Sequence, residues 1–433
     1  MYLYALVAAA TAFVVWRMRA PADLRLNRRF FSRFLRDSTG RGPNKVQLKR
    51  IPVWGLGPAN EEQAYFHVQA GFPDGSQQEV TVEVLYPLES LQREREQKMK
   101  PTMAEDFSPM QNPAGMGGQS TLADEANKFK QDPLQELTEE RKLIEQKTAQ
   151  FDRAVEQLRR INSHSELFPR LIAYERARHI AVLGAVGMRR LDVEINGGKR
   201  EECKELLPSF LASLAAFHAQ GDELAQSLPD KGAHSQQVIR SQITEALRGL
   251  SVAGVLATTT PLAELLAATS PIWTAGADYL GPRLADASPR GLFVHGGAVR
   301  PLHYGGLRRD ITLLDVIELL CDPAMPLSPA EELSLIEHYL AARFPGKDTQ
   351  DAVRIEMLHL AVYYRLVLAK HLAEYCSALK QPQGEKRSSL AIPYWDSEAT
   401  SRNLAALRFY LSETKEKTKE AKGTGATEQG RTT

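Results

Sequence analysis

Apolar and polar positions follow a strand period in the first part of the chain and a helix period in most of the remainder. Residues 63–70 and 79–85 are rich in β-branched and aromatic residues, and Phe72 to Ser76 between them contain the Pro, Asp and Gly of a turn. Two further short strands are predicted at 171–174 and 179–183. The pattern therefore predicts a small β-rich lobe that begins at Val53.

After Leu191, apolar residues recur at spacings of three and four, which indicates amphipathic helices. One compact β segment, at 291–315, interrupts this helical part. The predicted helices cover residues 137–158, 206–218, 235–256, 328–344, 349–379 and 397–413. The predicted fold class is α+β, with one β-rich lobe and one mainly helical lobe.

Two segments lack either period. Residues 90–136 are rich in Met, Pro and Gly, and residues 413–433 are first charged and then small and polar. Such compositions do not bury enough apolar surface to offset the entropy of ordering, so we predict a disordered insertion and a disordered tail. The predicted lobes are then 53–183 and 184–412.

The N-terminus has the composition of a membrane anchor. Tyr2 to Trp16 contain no charged residue, and aromatic residues lie near both ends. Fifteen apolar residues are fewer than the roughly 20 that a transmembrane helix needs, but snorkelling of Arg17 and Arg19 extends the span. We therefore predict an anchor at 1–20, in the membrane through residues 2–18, followed by a basic linker at 21–52; a buried hydrophobic helix is the alternative.

Charge is unevenly distributed along the chain. Residues 1–50 hold eleven Lys and Arg against two acidic residues, a net of +9, and because the whole chain has +1, the remainder has −8. An acidic body excludes nucleic-acid binding by the globular part. An Arg-rich, acid-poor N-terminus is typical of mitochondrial import, which favours the inner mitochondrial membrane with the domain on the matrix side. The alternative is the cytoplasmic face of another membrane.

Three widely spaced cysteines form neither a disulfide framework nor a zinc site.

Several short motifs occur in a fixed order along the chain, namely Gly57 to Asn60, Phe168 to Glu175, His179 to Leu183, Leu211 to His218 and His295 to Leu302. Their order resembles the aminoglycoside phosphotransferase and choline kinase branch of the protein-kinase-like fold. The resemblance covers roughly residues 53 to 380. It implies a two-lobed kinase-like fold with a small antiparallel sheet before a helical lobe.

The resemblance also implies where phosphate chemistry should lie. The family has a lysine in its third strand, where this chain has Glu83, and a catalytic loop HGDxxxxN, where this chain has Gly297 for the Asp and Leu302 for the Asn. A carboxylate repels phosphates, glycine accepts no proton, and leucine does not bind a hard cation. These three positions are therefore predicted to be degenerate. If nucleotide still binds, Gly57, Asn60 and Leu183 are the expected contacts.

Asp315 matches the family's remaining metal-binding Asp. It follows an apolar strand, Ile311 to Leu314, and the alternative role for an Asp in that place is a helix cap. Asp310, Glu318 and Asp322 lie close to it in sequence, so a carboxylate cluster for Mg²⁺ is one interpretation and a solvated acidic rim is the other.

The first functional hypothesis is a membrane-anchored pseudokinase without a cofactor, which acts through protein partners in a membrane complex. The alternative is an atypical small-molecule kinase that uses ATP and Mg²⁺, with Asp315 as metal ligand. A third is an unrelated helical membrane-associated protein.

Overall fold

The structure is a computed structural model of the full chain. It describes residues 41–51, 63–85, 133–176, 179–220, 236–252, 270–380 and 394–429, with residues 32, 33, 36, 224, 226 and 228. The predicted insertion at 90–136 lies almost wholly outside these residues, and so do Gly57, Asn60 and the predicted anchor at 1–20. Among the described residues, no helix is long and apolar enough to cross a membrane.

The described chain divides into two compact units. The first comprises the described residues up to Val155 together with Leu171–Ala185, and the second comprises Glu156–Arg170 and the described residues from Val186 onward. We describe each unit by itself.

The first unit is built on a five-stranded antiparallel sheet with the order β1-β2-β3-β5-β4. Its strands are β1 (Lys45–Arg50), β2 (Gln63–Gly71), β3 (Gln77–Leu85), β4 (Leu171–Glu175) and β5 (Ile180–Gly184). The long helix α1 (Pro133–Asn162) precedes β4. Val68, Val82 and Val182 are fully or almost fully buried in the core of this sheet.

The predicted hairpin is present as β2 and β3. Its turn is closed by hydrogen bonds from the Phe72 amide to the Ser76 carbonyl and from the Gly75 amide to the Phe72 carbonyl, at 2.9 and 3.0 Å. Gly75 has φ = 81°, a conformation that glycine adopts without steric cost.

The sheet nevertheless begins earlier than predicted, because β1 lies in the segment that we interpreted as a basic linker. Lys45 and Lys49 on this edge strand are exposed, which is typical of edges that resist further pairing.

The second unit is mainly helical. Its helices are α2 (Leu191–Asn196), α3 (Arg200–His218), α4 (Gln236–Val252), α5 (Leu313–Cys321), α6 (Pro329–Arg343), α7 (Lys347–Lys380) and α8 (Ser397–Gln429). Helix α7 packs against α4, α5, α6 and α8. Ser328 caps α6: its hydroxyl accepts from the Glu331 amide, and the Glu331 carboxylate accepts from the Ser328 amide.

Two small sheets lie within this helical unit. Strands β6 (Arg189–Arg190), β8 (Leu292–His295) and β9 (Ala298–Pro301) form one, and β7 (Leu280–Arg283) pairs with β10 (Arg308–Ile311) in the other.

Helix α8 differs from the prediction, because it continues to Gln429 where we expected a disordered tail from residue 413. Lys and Glu dominate this segment, and both are good helix formers. Glu413 precedes Lys417 by four residues, a spacing at which opposite charges stabilise a helix.

Candidate functional site

Glu83 lies at the centre of the first unit's sheet. It is on the middle strand β3, opposite Tyr65 on β2 and Ala181 on β5, and only 2% of its surface is exposed. The Tyr65 hydroxyl donates a hydrogen bond of 2.7 Å to its carboxylate. Burial, the charge of Glu83 and this hydrogen bond together raise the pKa of Tyr65 well above its ordinary value. Glu83 is therefore an internal structural carboxylate.

Leu183 and Asp152 also have structural contacts within the first unit. Leu183 is fully buried on β5. Asp152 accepts hydrogen bonds from the Tyr174 hydroxyl and from Arg176 Nε, the latter at 2.9 Å.

The tract from His295 to Leu302 contains the turn and the second strand of a tight β-hairpin, which is formed by β8 and β9. His295 pairs with Ala298 across β8 and β9, which leaves Gly296 and Gly297 as the two residues of the turn. Their φ angles are 57° and 75°, and a two-residue type I′ turn requires positive φ at both positions. The turn therefore favours glycine at position 297, which the resemblance matches to the family's catalytic Asp.

Leu302 directly follows this hairpin and is fully buried. A leucine in that place contributes apolar burial and offers no oxygen to a cation.

Asp315 lies on a helix and not at the end of a strand. Strand β10 ends at Ile311, α5 begins at Leu313, and Asp315 occupies the first turn of the helix. Its side chain is fully buried and does not cap the helix. One carboxylate oxygen accepts from Arg283 Nε at 2.9 Å, and the other accepts from the Leu284 amide at 2.8 Å. The His218 Nε2 atom lies 3.1 Å from that second oxygen. Both oxygens of Asp315 therefore have donors.

Arg283 is the centre of a buried ion cluster. Its side chain, fully buried on β7, contacts Asp315, Asp310 through Nη1 at 2.9 Å, and Glu318 through Nη2. Burial alone lowers the pKa of Arg283, but the three carboxylates reverse this effect and raise it. Partial burial raises the pKa of Glu318, and the charge of Arg283 opposes that change. The cluster is held together by an arginine.

The candidate cluster of four carboxylates is brought together only in part. Asp310, Asp315 and Glu318 meet at Arg283, whereas Asp322 pairs with Arg290 at 2.9 Å. These acids had two interpretations, as ligands of Mg²⁺ or as a solvated acidic rim. Neither of them included Arg283. The sequence signal that could have revealed this contact was the single Arg in the mostly apolar run Tyr279 to Ala285. An arginine in such a run is expected to be buried, and a buried arginine requires acidic partners. No group of three or more His, Cys, Asp or Glu in the described residues is arranged to hold a metal ion.

His218 joins this cluster to α6. Its Nδ1 atom lies 2.8 Å from the Tyr339 hydroxyl, and its Nε2 atom faces Asp315. Because an ionised carboxylate only accepts, Nε2 carries the proton and Nδ1 accepts from Tyr339 in the neutral ring. Burial lowers the pKa of His218, and the charge of Asp315 opposes that change only in part.

The chain resembles solved kinase structures in fold. No protein-family model matches the sequence, and no curated protein does so. A choline kinase from Cryptosporidium parvum shares 9% identity with a TM-score of 0.42, over 92% of this chain and 97% of its own. A choline/ethanolamine kinase family protein from Mesorhizobium loti shares 12% identity with a TM-score of 0.38, over 84% and 92%. An ADP-bound aminoglycoside phosphotransferase shares 10% identity with a TM-score of 0.34, over 86% and 96%.

At these identities the likeness does not extend to activity or substrate. The architecture itself is an antiparallel-sheet unit followed by a helical unit with an inserted β segment. The predicted order of a β-rich lobe and a mainly helical lobe is confirmed.

Proposed function

We propose that this chain is a pseudokinase, a protein with a phosphotransferase-type fold that transfers no phosphate and acts as a binding or structural subunit of a membrane assembly. One observation carries the proposal. Asp315, the acid that alone could keep metal chemistry, is fully buried and has both oxygens engaged by Arg283, Leu284 and His218.

The geometry of Asp315 opposes metal binding for a simple electrostatic reason. Mg²⁺ requires oxygen ligands in nearly octahedral geometry, and it usually keeps several of its waters. A buried carboxylate paired with an arginine has no room for those waters, and displacing the guanidinium leaves a buried charge without a partner.

The other degenerate positions support the same proposal independently. Glu83 is hydrogen-bonded inside a sheet, Gly297 forms a turn, and Leu302 is buried. None of these side chains supplies the cation, the proton acceptor or the metal ligand that the family has at the corresponding position.

We further propose that the protein is anchored in a membrane through residues 2–18 and works there with protein partners, the inner mitochondrial membrane being the first choice. The support is the uncharged run Tyr2 to Trp16 followed by Arg17 and Arg19. Full-length protein extracted in mild detergent is expected to elute as a large complex, and a version without residues 2–18 is expected in the soluble fraction. A monodisperse monomer in detergent contradicts the partner proposal, and membrane retention of the shortened chain contradicts the anchor.

A thermal-shift titration with ATP and Mg²⁺ tests the pseudokinase proposal. A ligand that binds the folded state raises the unfolding temperature, so we expect no Mg²⁺-dependent rise for the unmodified chain. Asp315→Asn and Asp322→Asn form a matched pair, since both remove a buried carboxylate that faces an arginine. ATP stabilisation that needs Mg²⁺, disappears in Asp315→Asn and persists in Asp322→Asn would support the atypical kinase instead.

A further inference from the structure

The edge of the first unit's sheet presents lysines to solvent. Strand β1 is the edge strand, and Lys45, Gln47 and Lys49 alternate along it, so the three side chains lie on one face and are exposed. Val46 lies on the opposite face and packs against the apolar core of the sheet. Both lysines therefore point away from that core.

Two exposed arginines precede β1 and lie near one end of the sheet. Arg41 Nη1 is 2.7 Å from Asp74 Oδ2 in the turn between β2 and β3. The guanidinium group of Arg36 lies beside Gly42, where an added Cβ atom would be 3.2 Å from its Nε atom. Lys45 pairs with the last residue of β2, so it lies at the same end of the sheet as that turn. We call Arg36, Arg41, Lys45 and Lys49 the basic edge.

Acidic side chains of the β2–β3 hairpin offset the charge of the basic edge only in part. Asp74 pairs with Arg41, but both side chains are largely exposed, and such a pair is weak. Glu79 is on the same face as the two lysines, but it lies on β3, two strands away from β1, where it accepts a hydrogen bond of 2.7 Å from Gln69. Within the part of the chain that the structure describes, neither lysine has an acidic partner. The basic edge therefore has a positive charge available to an anionic partner.

The position of the basic edge in the chain favours a membrane as that partner, an inference that rests on the proposed anchor. Arg36 is 16 positions after residue 20, where the predicted anchor ends, so a fully extended chain keeps it within about 55 Å of the membrane. Basic segments beside an anchor are attracted to anionic lipid, and the tether raises their effective concentration at the surface.

We propose that the basic edge lies against the anionic phospholipid headgroups of the membrane that holds the anchor. The contact is electrostatic, so it requires anionic lipid and weakens as the salt concentration rises. Insertion of the uncharged run at the N-terminus depends instead on burial of apolar side chains, which a bilayer of either headgroup charge provides.

Lysine acetylation measured by mass spectrometry tests the proposal on the full-length chain. The chain is mixed with vesicles of phosphatidylcholine alone, or of phosphatidylcholine with about 30% phosphatidylglycerol, and the vesicles are then floated on a density gradient. Lys45 and Lys49 are expected to react about tenfold more slowly with the anionic vesicles than with the neutral ones. Lys347, which is exposed in the second unit, is expected to react equally with both. A salt concentration of about 1 M is expected to remove the difference.

The outcomes distinguish the basic edge from the anchor. Flotation with both kinds of vesicle, with Lys45 and Lys49 slowed only by the anionic ones, supports both proposals. Flotation with both and no slowing overturns the basic edge and leaves the anchor standing. Flotation with the anionic vesicles alone, together with slowing, supports the basic edge and contradicts the anchor, whereas flotation with neither overturns both. Stronger slowing by a single-stranded RNA at the same phosphate concentration would assign the surface to nucleic acid and overturn the lipid contact.

A matched pair of variants locates the contact. Lys45→Gln leaves Lys49 as a reporter on the same face of β1, and it is expected to reduce the protection of Lys49 about threefold or more. Lys347→Gln removes one exposed positive charge elsewhere and is expected to leave that protection unchanged. Substitutions at exposed positions of this kind have small effects on stability. Equal protection of Lys49 in the two variants would contradict a contact through the basic edge.

Discussion

At the scale of single residues, Arg283 determines how the acids around it function. The sequence identified Asp310, Asp315 and Glu318 as neighbours, but the arginine that they share lies on β7, 27 to 35 positions earlier in the chain. The spacing of these residues along the chain does not reveal contacts between side chains that lie on two different strands and a helix. Three carboxylates without a visible counter-charge resemble a metal site, and only the fold shows that Arg283 contacts all three and that Arg308 also pairs with Asp310, at 3.3 Å.

Replacing Asp315 by Asn is expected to lower the free energy of unfolding by about 3 kcal/mol, because Arg283 then keeps less counter-charge in a buried place. Urea denaturation followed by circular dichroism measures this change. Glu398→Gln is the control, since Glu398 is 75% exposed in its pair with Arg402, and its effect is expected to stay within about 0.5 kcal/mol. Equal stabilities of Asp315→Asn and the unmodified chain would show that the cluster contributes nothing.

His218 is expected to make stability depend on pH. Its folded-state pKa lies below the ordinary value of 6.5, so below that pH the unfolded chain binds a proton that the folded chain does not. The stability that His218 contributes is therefore present above about pH 6.5 and is lost as the pH falls below that value. Urea denaturation across this range should show that loss in the unmodified chain and a smaller one in His218→Gln. The titration of Glu318 is common to both proteins, so parallel profiles would contradict the assignment of a neutral His218.

At the scale of elements, turns and caps were more predictable than the ends of elements. Phe72 to Ser76 and Ser328 have local signatures that the structure follows, because turn and cap chemistry involves only a few adjacent residues. Strand β1 was missed because its pairing with β2 joins residues about twenty apart, and α8 was shortened because a charged segment has no apolar stripe. The segment from His295 to Leu302, which resembles the family's HGDxxxxN loop with Gly297 and Leu302 in place of the Asp and the Asn, includes the turn of the β8–β9 hairpin, and its relation to that loop stays a prediction.

The turn at Gly296 and Gly297 gives a prediction about backbone conformation alone. A Cβ atom on Gly297 meets nothing within 4 Å, so the positive φ of 75° is the source of strain on substitution. Gly297→Ala is expected to lower the free energy of unfolding by about 1 kcal/mol. Gly297→Asn is the control and should cost less, since Asn tolerates this conformation. Thermal or urea denaturation of the two variants provides the comparison, and equal losses would argue against the type I′ turn.

At the scale of the whole molecule, the order of helices and strands was predictable from the sequence. The roles of the candidate site residues were predictable only in part. The hairpin, the strand pair at β4 and β5, and the helical second half follow from periodicities that the sequence displays directly. The predicted losses at Glu83, Gly297 and Leu302 rest on the resemblance, because the family has a different side-chain chemistry at each of these positions. The structural roles that fix these residues depend on Tyr65, on the hairpin and on core packing, which are contacts between distant parts of the chain.

Transfer of label from γ-labelled ATP by the purified full-length chain, measured both as released phosphate and as phosphorylated acceptor, tests the absence of phosphate transfer most directly. We expect a Mg²⁺-dependent rate no greater than that of Asp315→Asn, with or without a panel of small alcohols as acceptors, because Asp315 is bound to Arg283 and Gly297 is a turn residue. A Mg²⁺-dependent rate in the unmodified chain that Asp315→Asn abolishes and Asp322→Asn retains would contradict the pseudokinase proposal.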